Sequence, residues 1–595
     1  ADVSADDGVL SLREALALAD ADPATADTIA FDLTAMGSST IVLGGNQLIA
    51  GSDITINGGT GVTVNAGNLS RVLQVEGTYT DVTLDHLTLT AGRAAVGAGI
   101  RAEERTSVTL NETAVMANLA APAGPDPTVP SAGGGIYTQG RLSLVDSIVQ
   151  ENRATGGFAV GGGIWAQGPV ALTGSVVAGN SADSDGGGIL GGQITIVDSS
   201  IIENTSSSGQ GGGVCANGRL SITGSNISDN QSGFVGGGVS AVSATSIANT
   251  TISGNTAGND GGGLYAAGSL QLVSTTITGN ETTGNYSYGG GILLSIGVEA
   301  TISNSIIVGN SGGGNHPDVA SDYAAITSNG HNLFGSHVDG AIAGDLQNVR
   351  ASLLFAAINP ATGGGQLANN GGPTQTVALR DACDNPALAG ADPTDSPATD
   401  QRGEGRPQPA GTAPDIGAFE LNQTAPPPHE IVGTPRDDFL RGTAAGDLIR
   451  GLAGNDRLWG RDGDDQLFGG NGCDVLAGKS GVDQMTGGAG ADRFLFRAAP
   501  QAPPSGPAYD TILDFSHAQH DRIDLRPIDA DRSEPGNQAF ELIGEQAFTG
   551  PGQLRYEVTA DGLLVTGNID RNLAADFAVL VHADVTQLHA SDFLL

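Results

Sequence analysis

Little in this sequence could build a conventional globular core. Phe, Trp and Tyr together supply only 4% of 595 residues, far too few large rings for a compact interior of that length. Cysteine is nearly absent, with Cys215, Cys383 and Cys473 standing far apart, which excludes a disulfide framework and a paired-cysteine zinc site. Lysine occurs once, as Lys479. Positive charge in general is scarce, 25 bases against 64 acids for a net charge of −39, which disfavours nucleic acid and anionic membranes as partners and favours uptake of cations. No apolar run approaches the ~20 residues of a membrane-spanning helix. The chain opens on Ala1, which leaves a removed leader possible.

What is abundant is glycine, 93 residues, and it is periodic. A GGG-(I/V/L) segment recurs at Gly133, Gly161, Gly186, Gly211, Gly236, Gly261 and Gly289, spaced 28, 25, 25, 25, 25 and 28, with a degenerate copy at Gly97–Ile100. Each is followed by an asparagine: Asn152, Asn180, Asn204, Asn230, Asn255, Asn280 and Asn310. Between them run alternating stretches such as Leu142-Ser143-Leu144 and Ile194-Thr195-Ile196, which read as half-buried strands. A unit of this length, with short strands and glycine corners, predicts one coil of a right-handed parallel β-helix. Stacked coils would lie ~4.8 Å apart, and the asparagines would form a structural ladder of side-chain amides. The repeat resembles the GGA(I/L)/FxxN repeats of chlamydial polymorphic outer-membrane proteins, without their phenylalanine.

The ends of this segment carry their own signals. Ser11 and Glu14 have capping-box spacing and open an amphipathic helix that would plug the first coil. Ser11–Leu16 resembles the SLREA motif of secreted bacterial β-helix proteins. Gly330–Gly335, Asn370–Thr374, Thr399–Gly403 and Asp415–Glu420 resemble the final coils of that group. Expected boundaries are therefore a β-helix over 1–420 (capping segment 1–35, regular coils about 97–310, terminal coils 311–420) and a proline-rich linker at 421–432.

From Gly433 the frame GGxGxDxUx recurs seven times. Its sixth position is Asp438, Asp447, Asp456, Asp465, Asp474, Asp483 and Asp492, and its eighth is always apolar. Calcium takes six to eight hard oxygens, which glycine-turn carbonyls and one carboxylate per turn can supply. Without metal the stacked carboxylates repel, so binding and folding are coupled. The block resembles the RTX β-roll, which implies several Ca²⁺ ions within 433–495. Arg436 and Ala445 replace the fourth-position glycine of the first two units. Downstream, Asp510–Phe515 and Asp521–Leu525 resemble the domain that follows the roll in serralysin-type proteases, which adds Asp514, Asp521 and Asp524 as further metal candidates and makes 496–595 a small β-rich secretion domain. The terminal Ser591-Asp592-Phe593-Leu594-Leu595 resembles the uncleaved signal of type I export. These resemblances imply an extracellular or cell-surface bacterial protein that meets the type I secretion machinery on its way out. No HExxH zinc motif is present, so the protease activity is not implied.

Candidate sites on the solenoid follow from stacking. Glu203 and Asp229 precede ladder asparagines on adjacent coils, roughly 5 Å apart, a separation suited to paired catalytic carboxylates, to a cation, or merely to solvated turns. Tyr137 and Trp165 stack on neighbouring coils and would serve as a sugar platform or pack beneath loop 119–132. Phe158, Tyr286 and Tyr288 fall on the corner that carries the longer loops, with Phe234 beside them. The expected function is binding of extracellular polysaccharide or adhesion through the β-helix. The alternatives are a polysaccharide lyase, epimerase or glycosidase on the same face, and a passive envelope element.

Overall fold

The computed structural model describes all residues except 1–9, 23–24, 123–130, 286, 313–316, 322, 343, 383–384, 408–411, 422–428, 497–508, 535 and 560–561. The chain is an all-β, mostly parallel solenoid of about 18 turns, and it divides into two compact units, Ala1–Ala425 and Pro426–Leu595.

In the first unit one coil is four short strands, for example Ile136–Thr138, Arg141–Val145, Ile148–Gln150 and Arg153–Ala154. Each pairs in register with its counterpart on the next coil. The inward residues of this coil, Ile136, Leu142, Leu144 and Val149, are fully buried. Each such aliphatic side chain contributes roughly 1.5–3 kcal/mol. The helix Leu12–Asp20 closes the first coil, with Leu12, Leu16 and Ala19 buried and the Ser11–Glu14 capping box formed in both directions.

Each glycine of the GGG corner has its own reason. Gly161 sits at φ +62°, in the left-handed region. A Cβ on Gly162 would meet the Gly187 carbonyl of the next coil at 2.4 Å. One on Gly163 would press on the Asn180 amide at 3.0 Å.

That amide belongs to the ladder. The Asn180 Nδ2 donates to Asn204 Oδ1 at 2.9 Å, and the Asn180 backbone N–H donates to the same oxygen at 3.0 Å. The same pair of bonds repeats up to Asn310, whose donors both end on Asp318 Oδ1. Asn118 is an additional first rung, belonging to the degenerate Gly97 coil. A second ladder, of hydroxyls, includes Thr113, Ser147, Ser175, Ser199 and Ser225, each backbone N–H donating to the next Oγ. At its far end Ser305 donates to Asn332, and Asn332 donates to the Asp345 carboxylate. Both ladders point their donors toward the C-terminal end, and an acid receives each.

The expectation of terminal coils through residue 420 needs correction. Strands Val319–Ser321, Ala325–Gly330 and Leu333–Phe334 complete the last paired turn. Residues from about 351 to 420 then fold back along the flank of the earlier coils. Thr374 Oγ1 donates to Gly224 O, Asn249 Nδ2 to Thr399 O, Gly365 N to Thr278 Oγ1 and Gly417 N to Asn304 O. The motifs at 399–403 and 415–420 form a buried ionic knot. Arg402 pairs with Asp400 at 2.8 Å, and Arg406 reaches Glu420 at 3.9 Å with both side chains inaccessible. Burial, then the neighbouring Glu420, pushes the Asp415 carboxyl up to about 7. Long-range packing of this kind has no period, which is why stacking was the natural expectation.

In the second unit successive nonapeptides alternate between two sheets, so one coil spans two repeats. Arg457–Asp462 pairs with Val475–Ser480 in one sheet, and Gln466–Asn471 with Gln484–Ala489 in the other. The segment after residue 495 extends both sheets and shares the same core, in which Leu476, Phe494, Ile512, Ile523, Phe577 and Phe593 are buried together. The expected boundary at 495/496 separates no cores. Of the expected linker at 421–432, positions 422–428 lie outside the described residues, and His429–Val432 is instead a strand paired with residues 447–450.

Replacing Asn204 with Ala strips the acceptor from two Asn180 donors and the side-chain donor from Val177 O, while Asn230 Oδ1 keeps only the backbone N–H of residue 204. Leaving such buried groups unsatisfied should cost about 3 kcal/mol or more. Denaturant unfolding of the variant against the parent chain checks this.

Candidate functional site

The aspartates of the nonapeptides stack as two parallel ladders. One runs Asp438, Asp456, Asp474, Asp492, Asp521, and the other Asp447, Asp465, Asp483, Asp510. In every step the backbone N–H of one aspartate donates to Oδ1 of the next, at 2.7–3.0 Å. The second oxygen decides the chemistry. Oδ2 of Asp456, Asp465, Asp474, Asp483 and Asp492 is buried and accepts no hydrogen bond. In the first two units a threonine takes that place: Thr434 donates to Asp438 Oδ2 through N at 2.5 Å and Oγ1 at 2.8 Å, and Thr443 does the same for Asp447. Asp438 and Asp447 thus differ from the later five in having a protein donor at Oδ2.

Desolvation is the largest influence on the orphaned carboxyls. It pushes Asp465, Asp483 and Asp492 up to about 7 and raises Asp456 and Asp474, with neighbouring aspartates adding to the effect. Five buried, acceptor-only oxygens at successive turns fit a hard cation. Among the described residues, no three His, Cys, Asp or Glu side chains converge as a cluster. Backbone carbonyls of the turns would supply further oxygens. The fourth-position glycines, Gly454, Gly463, Gly472, Gly481 and Gly490, all have positive φ, whereas Arg436 and Ala445 do not.

The downstream candidates divide. Asp521 is a ladder rung whose Oδ2 accepts Ser516 N at 2.8 Å. Asp510, which no repeat frame marks, is the final rung of the other ladder, and burial raises its carboxyl to about 6. Its signal in the sequence is Asp510-Thr511-Ile512, which keeps the D-x-U step after the GGxG turn is lost. Asp514 spends both oxygens on Gly487 N and Gly488 N. Asp524 desolvates on burial, but bonds from Arg526 at 2.7 and 2.9 Å hold its carboxyl below the usual range. Asp514 and Asp524 thus have protein partners on both carboxylate oxygens.

On the solenoid, Tyr137 and Trp165 stack with ring centroids 4.8 Å apart, but Tyr137 is only 7% exposed. Packing, not an open platform, is its role. Phe158 (66%), Phe234 (47%) and Tyr288 (49%) are exposed on one edge. Tyr286 lies outside the described residues. Glu203 and Asp229 follow strands that pair in register, both at positive φ. Burial around the turn, then Glu203, raises the Asp229 carboxyl. Equivalent turns carry Gly179, Gly254, Gly279 and Gly309, also at positive φ, so the position repeats a backbone conformation, not a carboxylate.

Two recesses were not foreseen. One, about 410 Å³, crosses four coils over Arg219, Ser221, Ser246, Gln271, Glu299 and Thr301. Ser221, Ser246, Gln271 and Thr301 stand in register there. The other, about 540 Å³, contains His86, Glu112 and Asp146 from successive coils. His86 Nδ1 lies 2.8 Å from Asp85 Oδ1 and Nε2 lies 3.1 Å from Glu112 Oε2.

Residues 432–467, 441–476 and 468–496 match the RTX calcium-binding nonapeptide repeat, in four copies. This stretch is thus a set of calcium-binding repeats. No curated protein matches the chain. Among solved structures, the AlgE6R3 subunit of the Azotobacter vinelandii mannuronan C5-epimerase shares 29% identity over 28% of this chain and 82% of that one, with a TM-score of 0.14. A mutant of the PL6 family alginate lyase AlyGC shares 10% identity over 84% of this chain and 75% of that one, with a TM-score of 0.30. With scores this low, neither likeness says what this chain does.

Carboxyls near 7 in the folded roll and near 3.8 when unfolded make the metal-free fold strongest below about pH 4 and weaken it as pH rises through about 7. Protons and calcium compete for the same oxygens, so calcium affinity should instead fall on acidification. Calcium titrations of the whole chain at pH 8 and pH 5.5, followed by circular dichroism, should show weaker binding at the lower pH and more residual metal-free structure there.

Proposed function

We propose that this chain is an extracellular calcium-binding protein that holds polysaccharide along its solenoid. The recess across Ser221, Ser246, Gln271 and Thr301 carries this reading. Its donors and acceptors recur once per coil, ~4.8 Å apart, and so offer a repeating ligand a repeating set of hydrogen bonds. The exposed edge adds apolar faces for sugar rings: Phe158 and Phe234 are three coils apart, Phe234 and Tyr288 two. Calcium enters through Asp456, Asp465, Asp474, Asp483 and Asp492, with Asp510 ending one ladder. Coupling of folding to calcium suits a chain exported unfolded into a calcium-rich medium, and the Asp592-Phe593 tail fits a type I export signal.

A second reading, a polysaccharide-active enzyme, is favoured by one observation. His86 has its Nδ1 oriented by Asp85 while Nε2 faces an open recess with two further acids, the arrangement of an oriented acid–base group.

A glycan panel separates the two. Under the binding reading, immobilised polysaccharide retains the protein, and Arg219→Ala with Gln271→Ala weakens retention about tenfold, equivalent to ~1.4 kcal/mol. No retention by any glycan defeats that reading. Release of reducing ends or unsaturated products, lost in His86→Ala, would establish the enzyme instead.

A further inference from the structure

One face of the calcium roll departs from the charge of the whole chain. In the sheet containing Phe439–Arg441, Arg457–Asp462 and Val475–Ser480, the face opposite Leu440, Leu458 and Leu476 carries Phe439, Arg441, Arg457, Trp459, Arg461 and Lys479, with the small Val475 and Ala477 between them. Phe439 and Trp459 meet edge to face with centroids 4.8 Å apart. The Arg441 guanidinium lies 4.4 Å from the Phe439 ring and 5.3 Å from the Trp459 ring, and Lys479 Nζ lies 5.4 Å from Trp459. In a chain with 64 acids for 25 bases, Arg441, Arg457, Arg461 and Lys479 form no ion pair among the described residues.

Backbone conformation singles out two of these bases. In the five later units the second position is left-handed, held in the opposite sheet by Gly470 (φ +109°), Gly488 (φ +100°) and Leu452 (φ +81°). Glycine adopts it freely and a residue with a Cβ does not. In the basic sheet that position holds Arg461 (φ +95°) and Lys479 (φ +85°), which pair as neighbours. The fold keeps long cations where glycine would fit better.

We propose that this face is a binding site for an acidic polysaccharide, its carboxylates or sulfates met by Arg441, Arg457, Arg461 and Lys479 and its sugar rings by Trp459 and Phe439. This rests on the polysaccharide-binding reading above and assigns the ligand its charge. Aromatic rings laced with cations suit a chain that alternates apolar ring faces with anionic groups. Calcium in the adjoining turns would neutralise the aspartates that otherwise repel such a ligand.

The test uses the whole chain in saturating calcium against polygalacturonate, chondroitin sulfate, neutral dextran and a single-stranded oligonucleotide, each at 50 and 200 mM NaCl. Binding of either or both acidic glycans, weakening at the higher salt, is expected, and their relative affinities distinguish carboxylate from sulfate recognition. The Arg461→Gly, Lys479→Gly double variant, which relieves the backbone and should fold at least as well by circular dichroism, should weaken it at least tenfold; Trp459→Ala should also weaken it. Unchanged acidic-glycan binding in the double variant, dextran binding of equal strength, or equally tight oligonucleotide binding would overturn the proposal. Loss of binding with Arg219→Ala and Gln271→Ala but not with the roll variant would spare the solenoid reading and defeat this one alone.

Discussion

One bond organises both units: a backbone N–H donated to the side-chain oxygen of the equivalent residue on the next coil. In the long solenoid the acceptor is asparagine, as in Asn180 N to Asn204 Oδ1. In the roll it is aspartate, as in Asp456 N to Asp474 Oδ1. The two side chains are nearly the same shape, so the geometry is common and the remaining atom separates them. Asparagine's Nδ2 donates onward to the next amide and the column satisfies itself. Aspartate's Oδ2 can only accept, and nothing in the protein donates to it in the five later units. The asparagine column is therefore satisfied by the polypeptide itself, while the aspartate columns leave five buried oxygens that a cation would satisfy. A single atom per repeat separates the two columns.

The ends of the columns follow the same accounting. Aligned amides leave a row of donors facing one way, and Asp318 meets the last of them. Burial raises the Asp318 carboxyl, while the two bonds from Asn310 work in the other direction. Thr434 and Thr443 play the reciprocal part at the start of the roll, supplying donors where its acceptor columns begin. In each case the exception to the repeat sits where the repeat has no neighbour to complete it.

Periodic features were legible in the sequence because periodicity is what stacking imposes. The GGG corners, the asparagine column and the seven nonapeptides each required only counting. Features set by contacts between distant segments were not. The fold-back that covers Asn249, Thr276 and Asn304 joins residues about 90 to 150 apart. Asp510 lies beyond the last recognisable glycine turn, and its place in a column depends on a register that the 27-residue step from Asp483 conceals. Alternation correctly turns Tyr137 away from the solenoid interior, but whether a neighbour then covers it is a tertiary question. The net charge of −39 argued against anionic partners, yet a sum over the chain cannot show that the carboxylates turn into the roll while arginines gather on one sheet.

The last residues of the chain have a consequence for the order of events. Phe593–Leu594 is a strand paired with Ile523 and Asp524, Phe593 is buried, and Asp592 is held by His517 at 2.6 Å. In the formed roll Asp592 and Phe593 are buried, while Leu594 and Leu595 are half-buried. Were that tail read by an export receptor, as proposed above, the reading would have to precede folding, because the folded roll holds Phe593 in its core.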